Sequence, residues 1–368
     1  MTTIRKSKPQ TLYDCFSPTK RTAFLARFGY DPARLEPVGE DCAFRRYFRV
    51  YSKTDGTSAI LMEAMPQDSP FRTPGHDLGD FVRLAGFLRA RAISVPDLYE
   101  WDIADGYALL SDFGDVSFKT AAAQGETRRT DLYMLAADAL ADLHRKTAKD
   151  MPDSLPDYHQ SHVHHGRVRV IDWYMPQILA KRPDDALRRD YLAVWDTIER
   201  SLPPAPAGFL HVDYHFENLM WRADQKGLNR CGILDFQGAM RGPLPYDLAN
   251  LAEDARMDLP DALRRAILDR YCRDMGQAEK DHFMVWYRVL ATQFHCRIAG
   301  QFIRLALRDG KPRYLAFMPY VLGHLRRGLQ DPVLAPLQTW FAQNGIVFTD
   351  RAWSMEDLSM DHVPPDAF

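Results

Sequence analysis

No stretch of this 368-residue chain approaches the roughly 20 consecutive apolar residues needed to cross a bilayer, so no membrane-spanning helix is expected. An excess of one charge is missing as well. The 47 basic and 49 acidic side chains leave a formal charge of -2, too little to point to a nucleic acid or other polyanion as partner. Cysteines are few. The five (Cys15, Cys42, Cys231, Cys272 and Cys296) are odd in number, scattered and free of CxxC spacing, which argues against a disulfide framework and a zinc site and fits a reducing compartment. The opening MTTIRKSKPQTLYDCF lacks the apolar core of a signal peptide, so the expected location is cytoplasmic. No internal repeat is visible, and nothing indicates a protein partner.

What is present falls into two regimes of hydrophobic periodicity. Between about Ala43 and Leu110, FRRYFRVYS (44–52), SAILMEA (58–64) and GYALLSDF (106–113) read as strands separated by turn formers such as Lys53, Asp55 and Gly56. Within this region, DLGDFVRLAGFLRARA (77–92) spaces Leu78, Phe81, Val82, Leu84, Ala85 and Leu88 as a helix does. Beyond Phe113 the character is mainly helical, with long apolar stripes at 132–147 and 282–307. The expected fold class is α+β, a small antiparallel sheet followed by a larger, mainly helical part. FLHVDYHFENLMW (209–221) and RCGILDFQGAM (230–240) each begin as a short strand and run into polar residues, where active-site loops tend to sit.

The strongest chemical signal is His211-x-Asp213-x-x-x-x-Asn218, followed seventeen residues later by Asp235 in the context Ile233-Leu234-Asp235-Phe236. Phosphoryl transfer explains the set. A triphosphate donor needs Mg²⁺, a hard cation that prefers carboxylate and amide oxygens, and Asp235 with Asn218 supply them. Asp213 is left to accept the proton of an acceptor hydroxyl. Aligning acceptor and phosphate contributes about 7–11 kcal/mol in well-oriented systems, so loss of the carboxylate should lower turnover more than binding. His211 is expected to hold the loop. His215 and Glu217 either touch substrate or pack the loop; the sequence supports both readings equally.

HVDYHFEN with ILDFQ resembles the catalytic and metal loops of the aminoglycoside phosphotransferase and choline kinase superfamily. The resemblance implies a two-lobed protein-kinase-like fold, Asp213 as catalytic base, Asn218 and Asp235 as Mg²⁺ ligands, and ATP as donor. Leu110-Ser111-Asp112-Phe113-Gly114-Asp115 is similar to the family's lobe-connecting hinge, whose backbone receives adenine, and Ala141-Asp142-Leu143-His144 to its helix before the catalytic region. The implied organisation is an extension at 1–20, a nucleotide-binding lobe at 21–112, a helical lobe with the catalytic and metal loops at 113–350, and a tail at 351–368. Within it, the acidic, proline-containing segment from Met355 to Phe368 lacks a clear apolar face and is expected to be weakly ordered. Phe44 to Arg49, Ile171-Asp172-Trp173-Tyr174, Gly242-Pro243 with Tyr246-Asp247-Leu248, and Arg308-Asp309-Gly310-Lys311 resemble, more narrowly, the bacterial anomeric kinases of N-acetylmuramate and N-acetylglucosamine. This implies an amino-sugar substrate phosphorylated at its C1 hydroxyl to the α-1-phosphate in peptidoglycan recycling.

The pattern departs from the superfamily in its phosphate clamp. Where a third-strand lysine normally holds the α and β phosphates stands Met62, and the glycine-rich loop is reduced to Gly39. Strand alternation puts Phe44, Arg46, Phe48 and Val50 on one face and Arg45, Tyr47, Arg49 and Tyr51 on the other. Arg45 or Arg46 is the candidate cap for the triphosphate, against a reading of both as solvated strand cations. Trp173 and Tyr174 either stack on a sugar or belong to the core. The histidines from His159 to His165 lack a nearby cysteine or glutamate and are read as a loop, not a metal site. Asp247 is read as a carboxylate capping backbone donors near its own helix N-terminus. Three rival functions stay open: a kinase of an aminoglycoside or amino alcohol, a nucleotide-binding pseudokinase, and a two-carboxylate glycosidase using Asp213 and Asp235, which leaves Asn218 and the hinge unexplained.

Overall fold

The structure, a computed structural model, describes residues 15–40, 45–71 and 77–367. Phe44 and residues 1–14 of the expected extension lie outside the described residues. Two compact units divide the chain. The first takes the residues up to Ala121 together with Glu217–Gly238, and the second takes Ala122–Phe216 and the chain from Ala239 onward.

The first unit is built on an antiparallel five-stranded sheet of order β1-β2-β3-β5-β4, with β1 at Glu36–Glu40, β2 at Arg46–Tyr51, β3 at Ser58–Glu63, β4 at Leu98–Asp102 and β5 at Tyr107–Ser111. All three expected strands are present, trimmed by their turn formers. Val50, Ala59, Leu61 and Leu109 bury one face of the sheet together with Phe24 and Leu25 of helix α1, Pro18–Arg27. Ser17 starts that helix by accepting from the Lys20 amide, and Pro18 occupies its first position, where no amide proton is needed. Helix α2, Leu78–Arg89, is the expected one; Asp77 accepts from the Asp80 amide at 2.9 Å. Two short strand pairs follow in the chain. Strand β6 (Ala207–Leu210) pairs with β9 (Met240–Pro243) in the second unit, and β7 (Leu219–Trp221) with β8 (Cys231–Ile233) in the first.

The second unit is helical: α3 at Glu126–Thr147, α4 at Asp185–Arg200, α5 at Pro245–Ala252, α6 at Asp261–Tyr271, α7 at Gln277–Leu307, α8 at Met318–Gly328 and α9 at Ala335–Gln343. Helix α7, 31 residues long, is buried along most of its length, and its Val289, Leu290, Phe294 and Ile303 join Tyr191 and Trp195 of α4 in one core. The tail departs from expectation. Val363 is buried in that core, Gln177 and Ser359 exchange two hydrogen bonds of 3.2 and 2.8 Å, and just ahead of the segment Trp353 is also buried, 5.5 Å from the Tyr174 ring. Two isolated apolar anchors, with no helical spacing between them, order a segment that periodicity alone reads as solvent-exposed. Among the described residues, no helix is long and apolar enough to cross a membrane.

Candidate functional site

The first unit encloses a cavity of about 400 Å³. Val38, Ile60, Met220 and Leu234 give it apolar walls, and Leu110, Ser111, Asp112, Phe113 and Gly114 form one edge. A mostly apolar slot with a polar end suits a planar base carrying phosphates. The hinge side chains are engaged elsewhere. Asp112 receives Arg49 Nε at 2.6 Å, Asp115 receives the same guanidinium at 2.7 Å, and Ser111 Oγ accepts the Asp97 amide at 2.8 Å. Burial pushes the Asp112 carboxyl up, but Arg49 and the Gly114 amide outweigh it and hold the group below its ordinary value. Phe113 is held between the Arg222 guanidinium, 4.0 Å from its ring centre, and Gly232, where any Cβ would come within 2.6 Å of the ring.

At the polar end of the cavity the β7–β8 hairpin closes the seventeen-residue gap between Asn218 and Asp235. Leu219 pairs with Ile233, and the Leu234 amide donates to the Asn218 carbonyl at 2.9 Å. Asn218 Nδ2 then stands 3.5 Å from Asp235 Oδ2, and Gln237 Nε2 donates to Asp235 Oδ1. Sequence reasoning missed Gln237; its signal was its place two residues beyond Asp235. A 180° turn of either amide presents a carbonyl oxygen beside the carboxylate, so the three residues form an oxygen donor set that fits a hard divalent cation.

The two candidate arginines part company. Arg45 is 3% exposed and brings Nη2 to 4.0 Å from Asp235 Oδ1. Arg46 points away from the cavity, pairing with the buried Glu63 at 2.6 Å and stacking over Phe16 at 3.9 Å, because its side of β2 is the face that packs towards α1. It is therefore corrected to a core-side ion pair. Met62 is fully buried on the same face of β3 as the cavity-lining Ile60, so β3 presents no cation there. Glu217 also lines this cavity, ion-paired with Lys119.

In the second unit, Asp213 follows β6 on a loop locked on both sides. Val212 has φ 81°, a left-handed conformation that costs a β-branched residue on the order of 1–3 kcal/mol. The conformation aims two successive amides at one carboxylate: His211 N donates to Asp247 Oδ2 at 2.6 Å and Val212 N to Oδ1 at 2.8 Å. Asp247 is fully buried and also meets His144 Nε2 at 3.1 Å, whose Nδ1 lies 2.7 Å from the Tyr271 hydroxyl. Asp247 thus anchors the loop and does not cap its own helix, a long-range role that local sequence hides. Tyr214 donates to the Ala136 carbonyl at 2.9 Å, and Phe216 stacks on Tyr133 with centroids 3.8 Å apart. His211, Val212, Tyr214, His215 and Phe216 are all buried, and Asp213 alone in that run is partly exposed. Beside it, Arg297 donates to the Tyr246 hydroxyl at 2.9 Å. Burial, with Asp213 adding to it, pushes the Tyr246 phenol up to about 12 against the pull of Arg297.

Trp173 and Tyr174 are corrected to core residues. They are 2% and 1% exposed in a π-helical turn, Val170–Tyr174, and the Tyr174 ring stacks on Phe348 at 5.6 Å, so neither offers a face to a sugar. The histidine segment is also revised. Glu199 of α4 does approach His159 and His164, with their ligand atoms within 4.8 Å of one another. Arg167, however, places its guanidinium 2.8 Å from His164 Nδ1, and burial with Arg167 drives that imidazole down to about 2. A guanidinium seated on the ring opposes a metal ion there.

With this geometry described, the chain belongs to the phosphotransferase enzyme family, whose sequence profile matches residues 34–280. Membership implies ATP and a divalent metal in general terms. Among its relatives, the N-acetylmuramate/N-acetylglucosamine kinase of Caulobacter vibrioides is 31% identical over 357 residues, covering 90% of this chain and 97% of the relative. The enzyme of the same name from Pseudomonas aeruginosa is 30% identical over 313 residues, covering 83% and 87%. Plasmodium vivax ethanolamine kinase shares the fold at TM-score 0.56 and 11% identity, over 82% of each chain. The GDP complex of aminoglycoside 2'-phosphotransferase-IIIa does so at 0.53 and 15%, over 89% of this chain and 97% of that one. The two-lobed kinase-like reading of the sequence therefore stands.

Proposed function

We propose that this chain is an ATP- and Mg²⁺-dependent kinase that phosphorylates the C1 hydroxyl of N-acetylmuramate, N-acetylglucosamine or both, giving the α-1-phosphate used in peptidoglycan recycling in the cytoplasm. The observation that carries the reading is Asp213, left partly exposed on a loop whose neighbouring residues are buried and anchored through Asp247. The names of the bacterial relatives support the acceptor.

In this proposal the first unit holds the donor. The hinge backbone at Leu110–Phe113 receives adenine, and Asn218, Asp235 and Gln237 hold the cation. Bound Mg²⁺ offsets the charge of the β and γ phosphates. Arg45, beside Asp235, takes the place of the third-strand lysine as the cation near the phosphates. Asp213 accepts a hydrogen bond from the C1 hydroxyl and takes its proton as the new O–P bond forms and the bond from the γ-phosphorus to the leaving ADP oxygen breaks. His215 and Glu217 serve the loop and the Lys119 pair rather than the sugar.

The test is incubation with Mg-ATP and a panel of free sugars, their 1-O-methyl glycosides, an aminoglycoside and choline, followed by ADP release and phosphorus NMR of the product. The expected result is a sugar 1-phosphate from the free amino sugars only. A methyl glycoside phosphorylated as well as its free sugar contradicts C1 transfer, and ADP release with none of the acceptors contradicts the reading as a whole.

A further inference from the structure

The second unit concentrates positive charge next to the proposed base. On α7, Arg297, Gln301 and Arg304 recur at intervals of four and three residues, which places them along one face of the helix, and Arg308 follows at its C-terminal cap. Arg169, from the segment just before the π-helical turn, is brought against this stripe by two glycines. At Gly300 of α7 a Cβ would lie 2.0 Å from the Arg169 carbonyl oxygen, so only glycine lets the Arg169 backbone sit on the helix there. At Gly166 a Cβ would lie 2.8 Å from Arg297 Cδ and 3.5 Å from Arg169 Nη1, so the space it vacates is shared by both arginines.

Asp309 pairs with Arg308 at 2.7 Å and with Arg304 at 3.8 Å, and Asp213 acts on Arg297. Asp309 thus serves Arg308 and Arg304, while the carboxylate acting on Arg297 is the proposed base itself. The crowding registers on Arg169, a 9%-exposed residue whose guanidinium is lowered to about 10, first by burial and then by Arg297 and Arg304. Arg304 is likewise pushed down by burial and by Arg308. Like charges gathered around a buried guanidinium cost stability, and a bound anion relieves that cost.

We propose that Arg169 and Arg304 form a carboxylate subsite for the acceptor, which recognises the lactyl carboxylate of N-acetylmuramate and makes Arg169 a specificity-determining residue. This rests on the acceptor reading above. Two oxyanions are chemically suitable, the acceptor's carboxylate and the donor's phosphates, and position favours the first. Arg297 is the cation beside Asp213, while Arg304 lies about 10 Å further along α7 at 1.5 Å per residue. That is too far to share the phosphoryl group being transferred at Asp213, and it suits a substituent projecting from another carbon of the sugar.

The experiment compares kcat/KM for N-acetylmuramate, its neutral lactyl carboxamide and N-acetylglucosamine in the wild type and in Arg169→Gln and Arg304→Gln. The wild type should prefer the acid over the carboxamide by about tenfold or more, as expected for a charge-assisted contact. Arg169→Gln should raise KM for N-acetylmuramate by about 10- to 100-fold while changing the two neutral acceptors less than twofold, and Arg169→Lys should recover part of the loss. Equal losses on all three acceptors point to the donor phosphates or to folding and overturn the inference. So does wild-type turnover of acid and carboxamide at equal efficiency, a result that needs no variant to fold. Phosphorylation of none of the three overturns the acceptor reading itself, whereas phosphorylation without preference overturns this inference alone.

Discussion

Val212 and Asp235 both hold left-handed backbone, at φ 81° and 58°, beside the carboxylates assigned to chemistry, yet their surroundings differ in kind. Val212 is 4% exposed, and its strain is opposed by two amide-to-carboxylate bonds into the fully buried Asp247. Asp235 has a side chain 38% exposed and is touched by the amides of Asn218 and Gln237, which can rotate. A general base gains most from being fixed before the acceptor arrives, because misplacement by a fraction of an ångström is costly. A cation site gains from ligands that reorient as metal-nucleotide enters and leaves. The difference teaches that strain here accompanies a fixed carboxylate in the second unit and an adaptable one in the first, which suits the acceptor and donor roles proposed for them.

The largest expected effect breaks the rigid side at its reacting group. Asp213→Asn should lower kcat by about 100- to 10,000-fold, the range for removal of a general base, with KM values near those of the wild type. Steady-state kinetics checks this, and a loss confined to KM would show a binding role instead. Next comes the anchor. Asp247→Ala strands two buried amides and should cost about 3 kcal/mol or more in denaturant unfolding, with kcat reduced as well. Asp247→Asn keeps one acceptor oxygen and should fall between the alanine variant and the wild type.

Acid should loosen the two units in order. Glu253, one residue past the helix that carries Asp247, meets His295 Nε2 at 3.2 Å and Tyr287 at 2.8 Å. Burial raises Glu253, but His295 and His324 outweigh it and hold the carboxyl well below its usual range. Burial in turn lowers His295, and lowers His324 to about 3. Folding thus holds both imidazoles below the ordinary value of about 6.5 that they regain on unfolding, so the unfolded chain binds more protons as pH falls below it. Stability should therefore drop as pH falls from 6.5 towards 3, by on the order of 3 kcal/mol at pH 4 for His324. The first unit's Asp112, depressed by Arg49, gives its contribution up only below about pH 4. Amide exchange across that range should open the second unit first, and His324→Gln should flatten the thermal-melting profile. The smallest effect belongs to the adaptable side. Gln237→Ala should raise the Mg²⁺ concentration for half-maximal activity by about tenfold at unchanged saturating rate.

Much of this comparison can be read before any coordinates. Asp213, Asn218 and Asp235 stand out because their spacing is local and their chemistry specific, and the sheet strands because β-branched and aromatic residues alternate between turn formers. Asp247 was visible as a carboxylate, but its partners lie 35 and 36 residues away, so its anchoring of the loop was not. Arg45 and Arg46 are equivalent in type; only the burial of one face of β2 against α1 separates them. Trp173 and Tyr174 were ambiguous for the same reason, since a sequence records an aromatic pair but not which way a π-helical turn directs it. Gln237 and Arg169 were missed because amide and guanidinium groups acquire a role only from neighbours that folding supplies.

The most direct test is calorimetric titration of Mg-ADP into the wild type, Asp213→Asn and Asp235→Asn. If the donor is held by the first unit and Asp213 serves only the acceptor, Asp213→Asn binds within about twofold of the wild type while Asp235→Asn weakens binding by about tenfold or more. Equal weakening by both variants, or weakening by Asp213→Asn alone, would contradict that division of labour.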